Sequence, residues 1–600
     1  MLTVSPQWHD ASRAQFRYQA YLYASLEVVP PGLREGAVIT SDDTNSYASV
    51  DTIMDTETLQ PTKYVTLEPN RWRLDGQYKL LTSDDVLRDW WSEHPVASTT
   101  PVLHFEFNDP YTIPGIYFLW DYENDTYPTK IRVIGYNATN EQVYDILLEG
   151  INSKEGFFDS LAMDDVKYVD IEILDWVAVG WRARVLEITF GLIFKFDSVN
   201  NGRIMSATQV SKADPLNSKL PTHTMKITLR NYDKYFDATL QSSLSKYIAQ
   251  QQVLRTQWAF ATSNAVVEFA PKQVFLLETF KVPADSKEVV FELTNRLELL
   301  DSDFYLGTYT GSARTLTALV DYILTNSNIL KEFDGQIPWV IPESFNSITT
   351  TAPIPSGATN ALLQLIALAG CTWLRTRSMD GFIEFYESQA ESSPECAITP
   401  DQELGDPEIT IHDRLRSISI GVYSYIPKST ADKVGSGDYT IAGTQAVLVK
   451  YKVDYATNVS ATVTGTGATL VSAKYYASYA QLTISAPTSG AAVSVTLTGN
   501  EVEETVAYLE TYRDATIADG RDVTIENPLV TSYAHAQQVS DYVRSYYLRR
   551  NEYKLSYTGY PQVEAGDKID LSTIYGSDVV EVKNNTIEFN GGWTGTMEVV

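Results

Sequence analysis

The chain has 600 residues, too many for one hydrophobic core, so we expect it to divide into several domains. Its 44% hydrophobic and 12% aromatic residues, including 38 Tyr, indicate a globular, strand-rich protein and argue against disorder. The formal charge of −30 argues against tight binding of nucleic acid, because affinity for phosphates comes mainly from Lys and Arg.

Targeting and redox features are sparse. Only two cysteines occur, Cys371 and Cys396, which excludes a disulfide framework and a Cys-rich zinc site. The segment Met1–Ser25 lacks the basic start and apolar core of a secretory signal. The longest apolar run, Ala361–Leu374, is shorter than the roughly 20 residues that a membrane-spanning helix needs. We therefore expect no membrane-spanning segment and synthesis in a cytoplasm.

The first part of the chain predicts strands. Residues 1–65 contain short strand-like runs such as Phe16–Tyr21, which cannot close a core alone. In Thr66–Gly76, apolar and charged residues alternate as in a strand. More short strands follow, separated by turn-prone clusters: Val102–Phe107, Ile116–Trp120, Lys130–Tyr136, Gln142–Leu148 and Val166–Leu174. Such spacing is typical of a β-sandwich, which we place at residues 66–178.

This segment is similar to the galactose-binding-like (discoidin-type) sandwich. Aromatic side chains suit the apolar face of a pyranose ring, so five rings of the segment are candidates for a sugar-stacking platform: Trp90, Trp91, Tyr111, Tyr122 and Tyr127. The alternative is that these rings fill the sandwich core or a protein interface. A glycan of the host cell wall is the corresponding candidate ligand.

The sequence after Trp181 indicates that the domain begun in residues 1–65 continues after the sandwich. Arg182–Gly191 predicts a strand, and the run LPTHTMKITLRNYDKYFD at Leu220–Asp237 places Met225, Ile227 and Leu229 on one strand face. Further antiparallel strands are predicted at Gln257–Ala261, Val274–Lys281 and Glu288–Thr294. We predict a barrel domain over residues 179–310.

Two helices and a hairpin are predicted for residues 311–400. Ser312 is the candidate N-cap of a helix whose apolar stripe runs from Leu316 to Leu324. A second helix begins near Ser356 or Thr359 and ends at Gly370, which we interpret as a C-terminal glycine. A turn at Asp380–Gly381 then forms a hairpin.

Residues 401–520 are rich in Ser, Thr, Ala, Val and Gly and predict a second barrel or a β-sandwich of short strands. The motif Gly465-Thr466-Gly467 lacks the third glycine and the helix of a dinucleotide site. Residues 521–600 predict a closing strand, helix and strand unit. It contains IENPLVT (Ile525–Thr531), a helix from Ser532 to about Arg550 and turns at Gly566-Asp567 and Asn590-Gly591.

The order of these elements resembles the hub proteins of tailed-phage tail tips and baseplates. The resemblance extends from about Phe16 to the C-terminus, with the sandwich as an insertion. In addition to the C-terminal unit, four sequence motifs carry it: Leu220-Pro221-Thr222, Asn231-x-Asp233-x-x-Phe236-Asp237, Phe275-Leu276-Leu277, and Glu292-Leu293-Thr294 leading to Leu299-Leu300-Asp301. The expected fold is mainly β with α+β elements, comprising several domains: tube-type β-barrels, the inserted β-sandwich and a few packed helices.

No catalytic constellation is visible. The six histidines are scattered singly, without metal-binding spacing: His9, His94, His104, His223, His412 and His535. No Gly-x-Ser-x-Gly elbow occurs, and numerous carboxylates make pairing uninformative. We expect a protein that is not an enzyme and needs no cofactor or metal. Some hub proteins carry an appended enzyme or fibre, but here the hub-like sequence continues to Val600, so we expect no appended enzyme or fibre.

The resemblance implies a virion protein of the tail tip or baseplate. It would form a homotrimeric ring that joins the tail tube to the tip and gates the channel for genome ejection. The implied partners are distal-tail and tail-tube ring proteins, the tape-measure protein and receptor-binding or fibre proteins, while DNA passes without specific binding. The alternatives are an extracellular carbohydrate-binding protein, a polysaccharide-degrading enzyme with a lectin-like sandwich, and a surface adhesin.

Overall fold

A computed structural model describes most of the chain. The described residues are 2–14, 19–30, 33–34, 37–42, 53–54, 64–65, 79–80, 90–121, 125–199, 202–234, 236, 248–262, 266–282, 287–308, 312–327, 330, 337–388, 394, 396–574 and 576–600. The strand predicted within 66–76 and the candidate ring of Tyr122 lie outside this set, as do Phe16 and Asp237.

Helices are few in the described residues: α1 Pro6–Arg13, α2 Arg296–Leu299, α3 Leu316–Thr325, α4 Thr359–Ala369 and α5 Tyr533–Leu548. The strands before residue 200 are β1 Ala20–Val28, β2 Val38–Ser41, β3 Tyr64–Val65, β4 Lys79–Leu80, β5 Trp90–Pro95, β6 Val102–Ile113, β7 Ile116–Trp120, β8 Pro128–Tyr136, β9 Gln142–Glu149, β10 Glu155–Phe158, β11 Met163–Trp176, β12 Arg182–Thr189 and β13 Leu192–Asp197.

The strands between residues 200 and 400 are β14 Ile204–Lys212, β15 Thr222–Arg230, β16 Val253–Ala261, β17 Val267–Phe269, β18 Gln273–Lys281, β19 Glu288–Thr294, β20 Phe304–Tyr305, β21 Arg314–Thr315, β22 Trp339–Val340, β23 Thr349–Thr350, β24 Gly357–Ala358, β25 Trp373–Thr376, β26 Ile383–Tyr386 and β27 Cys396–Ile398. The remaining strands are β28 Glu408–Ile411, β29 Leu415–Pro427, β30 Asp432–Lys450, β31 Ala456–Thr464, β32 Thr469–Tyr475, β33 Tyr479–Arg513, β34 Arg521–Ile525, β35 Asn551–Tyr557, β36 Lys568–Thr573, β37 Gly576–Phe589 and β38 Trp593–Val599.

The largest sheet joins the two ends of the chain. Its 14 strands follow the path β13-β1-β16-β18-β19-β15-β14-β37-β38-β35-β28, with β17, β27 and β36 beside it. The pairing of β14 with β37, in which Ala207 lies opposite Phe589, connects the parts predicted at 179–310 and 521–600. One core covers one face of the whole sheet, and Trp8 of α1 seals it, 5.7 Å from the ring of Phe260.

The β-sandwich is formed by two sheets with one shared core. The four-stranded sheet has the order β10-β7-β12-β5 and the five-stranded sheet β2-β6-β11-β8-β9. The predicted strand Ile116–Trp120 has the predicted bounds, and the other four lie within longer strands. The predicted end of the sandwich at residue 178 is too early, because β12 pairs with β7 between its neighbours. The alternation of β12 identifies a strand but not its partner.

The region between residues 311 and 400 has the predicted order of helix, helix and hairpin. The N-cap of α3 is Thr315, whose hydroxyl accepts from the N–H of Ala318, and not the predicted Ser312. Gly370 does end α4, but for a steric reason rather than a conformational one. Its φ is −81°, while a Cβ there would lie 2.1 Å from the ring of Phe345. Glycine is therefore required by close packing.

The stretch 401–520 contains long strands where short ones were predicted. β33 runs for 35 residues and pairs with β29 near its end and with β30, β31 and β32 before that. The two halves of β30 and β33 face each other across one apolar core, which makes a second, smaller sandwich. Helix α5 is capped by Ser532, the residue at which the helix was predicted to begin, and packs on β29 and β33. The mainly-β, multidomain fold class is confirmed.

Candidate functional site

The main candidate surface is the part of the outer face of the large sheet that lies on β19, β15, β14, β37, β38 and β35. Along β15 the predicted inward residues Met225, Ile227 and Leu229 are buried, so the intervening residues point the other way. Across the sheet these outward positions form rows of cross-strand partners. One such row is Glu292, Lys226, Thr208, Glu588 and Thr594.

A second row beside it contains Thr224, Val210, Thr586, Thr596 and Ser556. We call the two rows the polar face. The side chains of this face are half-buried or exposed, and threonine and glutamate are frequent among them. A sheet with one apolar and one polar face is the pattern expected where one side packs on a core and the other meets water.

A buried ionic cluster ties the hairpin of the helical region to the C-terminal part. Arg375 lies 2.6 Å from Glu384 and 3.6 Å from Asp567, and its guanidinium stacks on the ring of Tyr386 at 3.7 Å. Burial alone would lower the pKa of Arg375, but the carboxylates outweigh it and raise that pKa. Its Nη1 also donates to the carbonyl of Ala565 at 2.8 Å. The cluster holds these two parts in one orientation.

A second ionic cluster lies where the first sandwich meets the large sheet. Glu27 of β1 accepts from Arg255 at 2.9 Å and from Arg34 at 2.8 Å, and Glu187 of β12 lies beside it. Burial would raise the pKa of Glu27, but the two guanidinium groups outweigh it and lower this pKa to about 2. Burial, with a further contribution from Glu27, raises the pKa of Glu187.

A cavity of about 280 Å³ adjoins this cluster and is lined by residues of the large sheet together with Glu187 of the first sandwich. Lys195 of β13 reaches across the same junction, 2.9 Å from the hydroxyl of Tyr117 and 3.2 Å from Glu155. Sequence reasoning missed this junction. Single Glu, Arg and Lys residues in strands have no pattern that shows which of them will be buried together.

The five rings predicted to form a sugar-stacking platform differ in burial. Trp90 is 1% exposed and belongs to the sandwich core, and Trp91 is 3% exposed, with the Arg184 guanidinium 4.8 Å from its ring. Tyr111 packs edge-on against Phe107 within the core. Tyr127 is half-buried against the same core. The alternative interpretation, that rings fill the sandwich, describes Trp90 and Trp91. The sugar-binding role of Tyr111 and Tyr127 stays a prediction, and Tyr122 lies outside the described residues.

Within the described residues, no group of three or more His, Cys, Asp or Glu side chains is placed to hold a metal ion. The histidines stay apart from one another. His104 and His412 each pair with carboxylates, while His535 bonds to the carbonyl of Ala369 at 2.8 Å. Burial lowers the pKa of His223 to about 4, so this ring is neutral at pH 7. In the same part of the chain, no helix has the length and apolar character to cross a membrane.

Tail and baseplate proteins are among the solved structures to which the chain is similar. They include the tail protein from Neisseria meningitidis MC58, at 8% identity and a TM-score of 0.35 over 68% of this chain and 93% of that one. The 43 kDa tail protein of prophage MuSo2 from Shewanella oneidensis gives 12% identity and a TM-score of 0.35, over 68% and 95%.

The Phage P2 baseplate in its activated conformation with Ca gives 9% identity and a TM-score of 0.23, over 66% of this chain and 98% of that one. Because these TM-scores lie below 0.5, nothing about function is inferred from the likeness. No protein-family model matches the chain, and no curated protein sequence matches it.

Proposed function

We propose that this chain is a structural hub of a tail tip or baseplate, in which three copies form a ring that joins the tail tube to the tip. The observation that carries this proposal is the large sheet, which is assembled from both ends of the chain and has a polar face free of the core. Such a face suits the wall of an aqueous channel, since it offers passing macromolecules no apolar anchor.

The sheet curls around its own core. Trp258 of β16 lies 5.9 Å from the ring of Phe589 of β37, and Phe260 of β16 lies 5.1 Å from Trp593 of β38, although several strands separate them along the sheet. The polar face is therefore the convex side of the sheet. In this proposal, the convex sides of three copies surround the central opening.

The charge of the chain supports passage rather than binding. The net charge of −30 makes the chain as a whole repel phosphates, while on the sheet itself Glu588 and Glu598 lie among the outward lysines Lys226 and Lys554. In this proposal, the ring also gates the channel for genome ejection. The partners remain those implied by the resemblance: distal-tail and tail-tube proteins, the tape-measure protein and fibres. The role needs no catalytic step, so we expect no hydrolysis of cell-wall polysaccharide.

The test is the mass of the purified chain by native mass spectrometry and light scattering, together with negative-stain images alone and after mixing with tail-tube and distal-tail proteins. We expect a species of three times the chain mass and a threefold ring with a central opening. A monomer at all micromolar concentrations, with no ring after mixing, would overturn the proposal.

A further inference from the structure

The strand β33 continues beyond the small sandwich as an edge strand. Residues 502–513 of β33 pair with β29. The strands β30, β31 and β32 pair only with the part of β33 that precedes residue 502. Within the described residues, no strand pairs with the other edge of residues 503–513. All six residues from Glu503 to Tyr508 are exposed, so this edge is open to solvent.

The free edge of β33 is acidic. An open strand edge presents unpaired backbone N–H and C=O groups, to which another extended chain can add. Residues 501–510 include four glutamates and no Lys or Arg: Glu501, Glu503, Glu504 and Glu510. Pairing of this edge with the same edge of a second copy would bring like charges together, which is unfavourable across a strand pair. The charge therefore argues against a second copy as the occupant.

Side chains next to this edge form a face that points away from helix α5. Val422 of β29 packs with α5, so the neighbouring Tyr423 lies on the opposite face of the sheet. Register places Tyr423 opposite Val506, and Tyr508 lies on the same face two residues further along β33. The hydroxyl of Tyr508 donates to the carboxylate of Glu526 at 2.6 Å. We call the following residues the acidic tyrosine face: Tyr423, Glu504, Val506, Tyr508 and Glu526.

The two faces of this sheet differ in their cations. On the α5 side, the guanidinium of Arg544 lies 4.4 Å from the ring of Tyr512. On the acidic tyrosine face, no described Lys or Arg lies over the ring of Tyr423 or Tyr508, and Glu526 forms no ion pair with a described residue. Tyrosine rings and carboxylates both attract ammonium and guanidinium groups. The face thus offers a place for a cation that the described part of the chain does not fill.

Neighbouring cations do not neutralise this face. Lys428 lies 2.6 Å from Glu501, before the edge begins, and Arg513 pairs with Glu510 beyond its other end. A cavity of about 530 Å³ beside the face has charges of both signs in its lining: Lys450, Lys452, Asp454 and Glu504. The exposed carboxylate of Glu526 remains without a counter-charge. The local charge therefore favours a cationic occupant.

We propose that residues 503–508 of β33 bind an extended, basic segment of a partner protein. The segment adds a strand to the free edge, and its backbone pairs with the N–H and C=O groups that β29 leaves open. Its Lys or Arg side chains on the outer side lie along the ring of Tyr508 towards Glu526. The proposal does not depend on the hub role, because it rests on the edge and its charges alone.

The test is fluorescence anisotropy on the full chain at physiological salt with labelled decapeptides. The basic probe alternates lysine and threonine, and in the neutral probe glutamine replaces every lysine. We expect the basic probe to bind with a Kd of the order of 10 μM and the neutral probe to bind at least about tenfold more weakly.

Two N-methylated basic probes separate strand addition from charge attraction alone. One is methylated at every lysine and the other at every threonine. A strand that adds to an edge uses the N–H groups of every second residue only. One of these two probes should therefore bind at least about fivefold more weakly than the unmethylated probe, and the other should bind almost as well as it. Equal affinities of the two methylated probes would overturn the proposal.

Tyr508→Ala, and the double variant Glu504→Gln with Glu526→Gln, should each weaken binding of the basic probe at least about fivefold. The matched control is the double variant Glu141→Gln with Glu588→Gln, which removes the same charge from exposed positions elsewhere. It should change the Kd less than about twofold, and the thermal transitions of all three variants should match that of the parent. The proposal is also overturned by absence of binding of the basic probe, by binding that the site variants leave intact, or by an equal loss in the control.

Discussion

Replacing Glu27 with Gln should loosen the junction between the large sheet and the first sandwich in a pH-dependent way. Glu27 is 4% exposed and holds the guanidinium groups of Arg255 and Arg34. Its pKa falls from an ordinary 4.5 to about 2 in the folded chain. A difference of about 2.5 units corresponds to about 3 kcal/mol of stability at pH 7. Leaving a buried cation without its partner predicts a loss of the same order.

The direction of the pH dependence follows from the lowered pKa of Glu27. The contribution of Glu27 is present in full above pH 4.5, where the carboxyl is ionised in both states, and disappears as the pH falls towards 2. At pH 7, amides of β1 and β16 that exchange through opening of this junction should therefore exchange about a hundredfold faster in Glu27→Gln than in the parent. Near pH 2 the two proteins should exchange alike, after correction for intrinsic rates.

The assay is hydrogen exchange with mass spectrometry on the full chain. Glu292→Gln is the matched control, since Glu292 forms a solvent-exposed pair with Lys281 on the same sheet, and screening makes such pairs weak. Its exchange should stay close to that of the parent. A change below threefold in Glu27→Gln at pH 7, or a gap to the parent that is equally large at pH 2.5, would refute the assigned role of this carboxylate.

Three further predictions concern packing, buried charge and the polar face. Gly370→Ala should lower the free energy of unfolding by about 1–3 kcal/mol, because the added Cβ would overlap the ring of Phe345. A second change, Phe345→Leu, should recover part of this loss in urea unfolding. An unchanged or higher stability of Gly370→Ala would contradict the steric reason. Arg184→Met should lower the free energy of unfolding by about 3–5 kcal/mol, because it leaves Asp121 buried without its cation, whereas replacing both residues with apolar ones should lower it far less. Hydrogen exchange of β7 and β12 measures both losses, and equal losses in the single and the double variant would count against this prediction. A Glu588→Cys variant should react rapidly with a water-soluble maleimide, because position 588 is exposed, whereas the parent, with a half-buried Cys371 and a buried Cys396, should react slowly; slow labelling of the variant would count against an open polar face.

The sequence was most informative where side-chain alternation alone decides the outcome. Strand β7 has its predicted bounds because its apolar run is flanked by turn residues, and Met225, Ile227 and Leu229 face the core as their spacing predicts. Alternation does not identify partners, however. Nothing local shows that β14 pairs with β37, since residues far apart in the chain meet only through the assembled sheet.

The length of β33 was hidden for a related reason. Pro487 and Gly490 are the usual signs of a turn between two strands. Here they lie at an exposed corner, where the strand bends from one layer of the small sandwich to the other, and pairing with β30 resumes on either side. A bend within a strand and a turn between strands have the same local composition.

The candidate sites were the least predictable part. Adjacent tryptophans suit a binding platform and a core equally well, and only the tertiary structure shows that Trp90 and Trp91 are enclosed. The junction residues Glu27, Arg255 and Glu187 come from β1, β16 and β12, which lie far apart in the sequence. Their proximity is a property of the assembled sheets, which the sequence pattern did not reveal.

Both sandwiches are insertions whose first and last residues lie next to each other on paired strands. Val28 lies opposite Leu192, and Pro427 lies opposite Val502, so each excursion starts and finishes at adjacent points of an existing ladder. A short turn could close either gap without disturbing the strands on both sides. Recombination can therefore exchange one peripheral module for another while the scaffold that receives it keeps its hydrogen bonds, so the modules can evolve separately from the central framework.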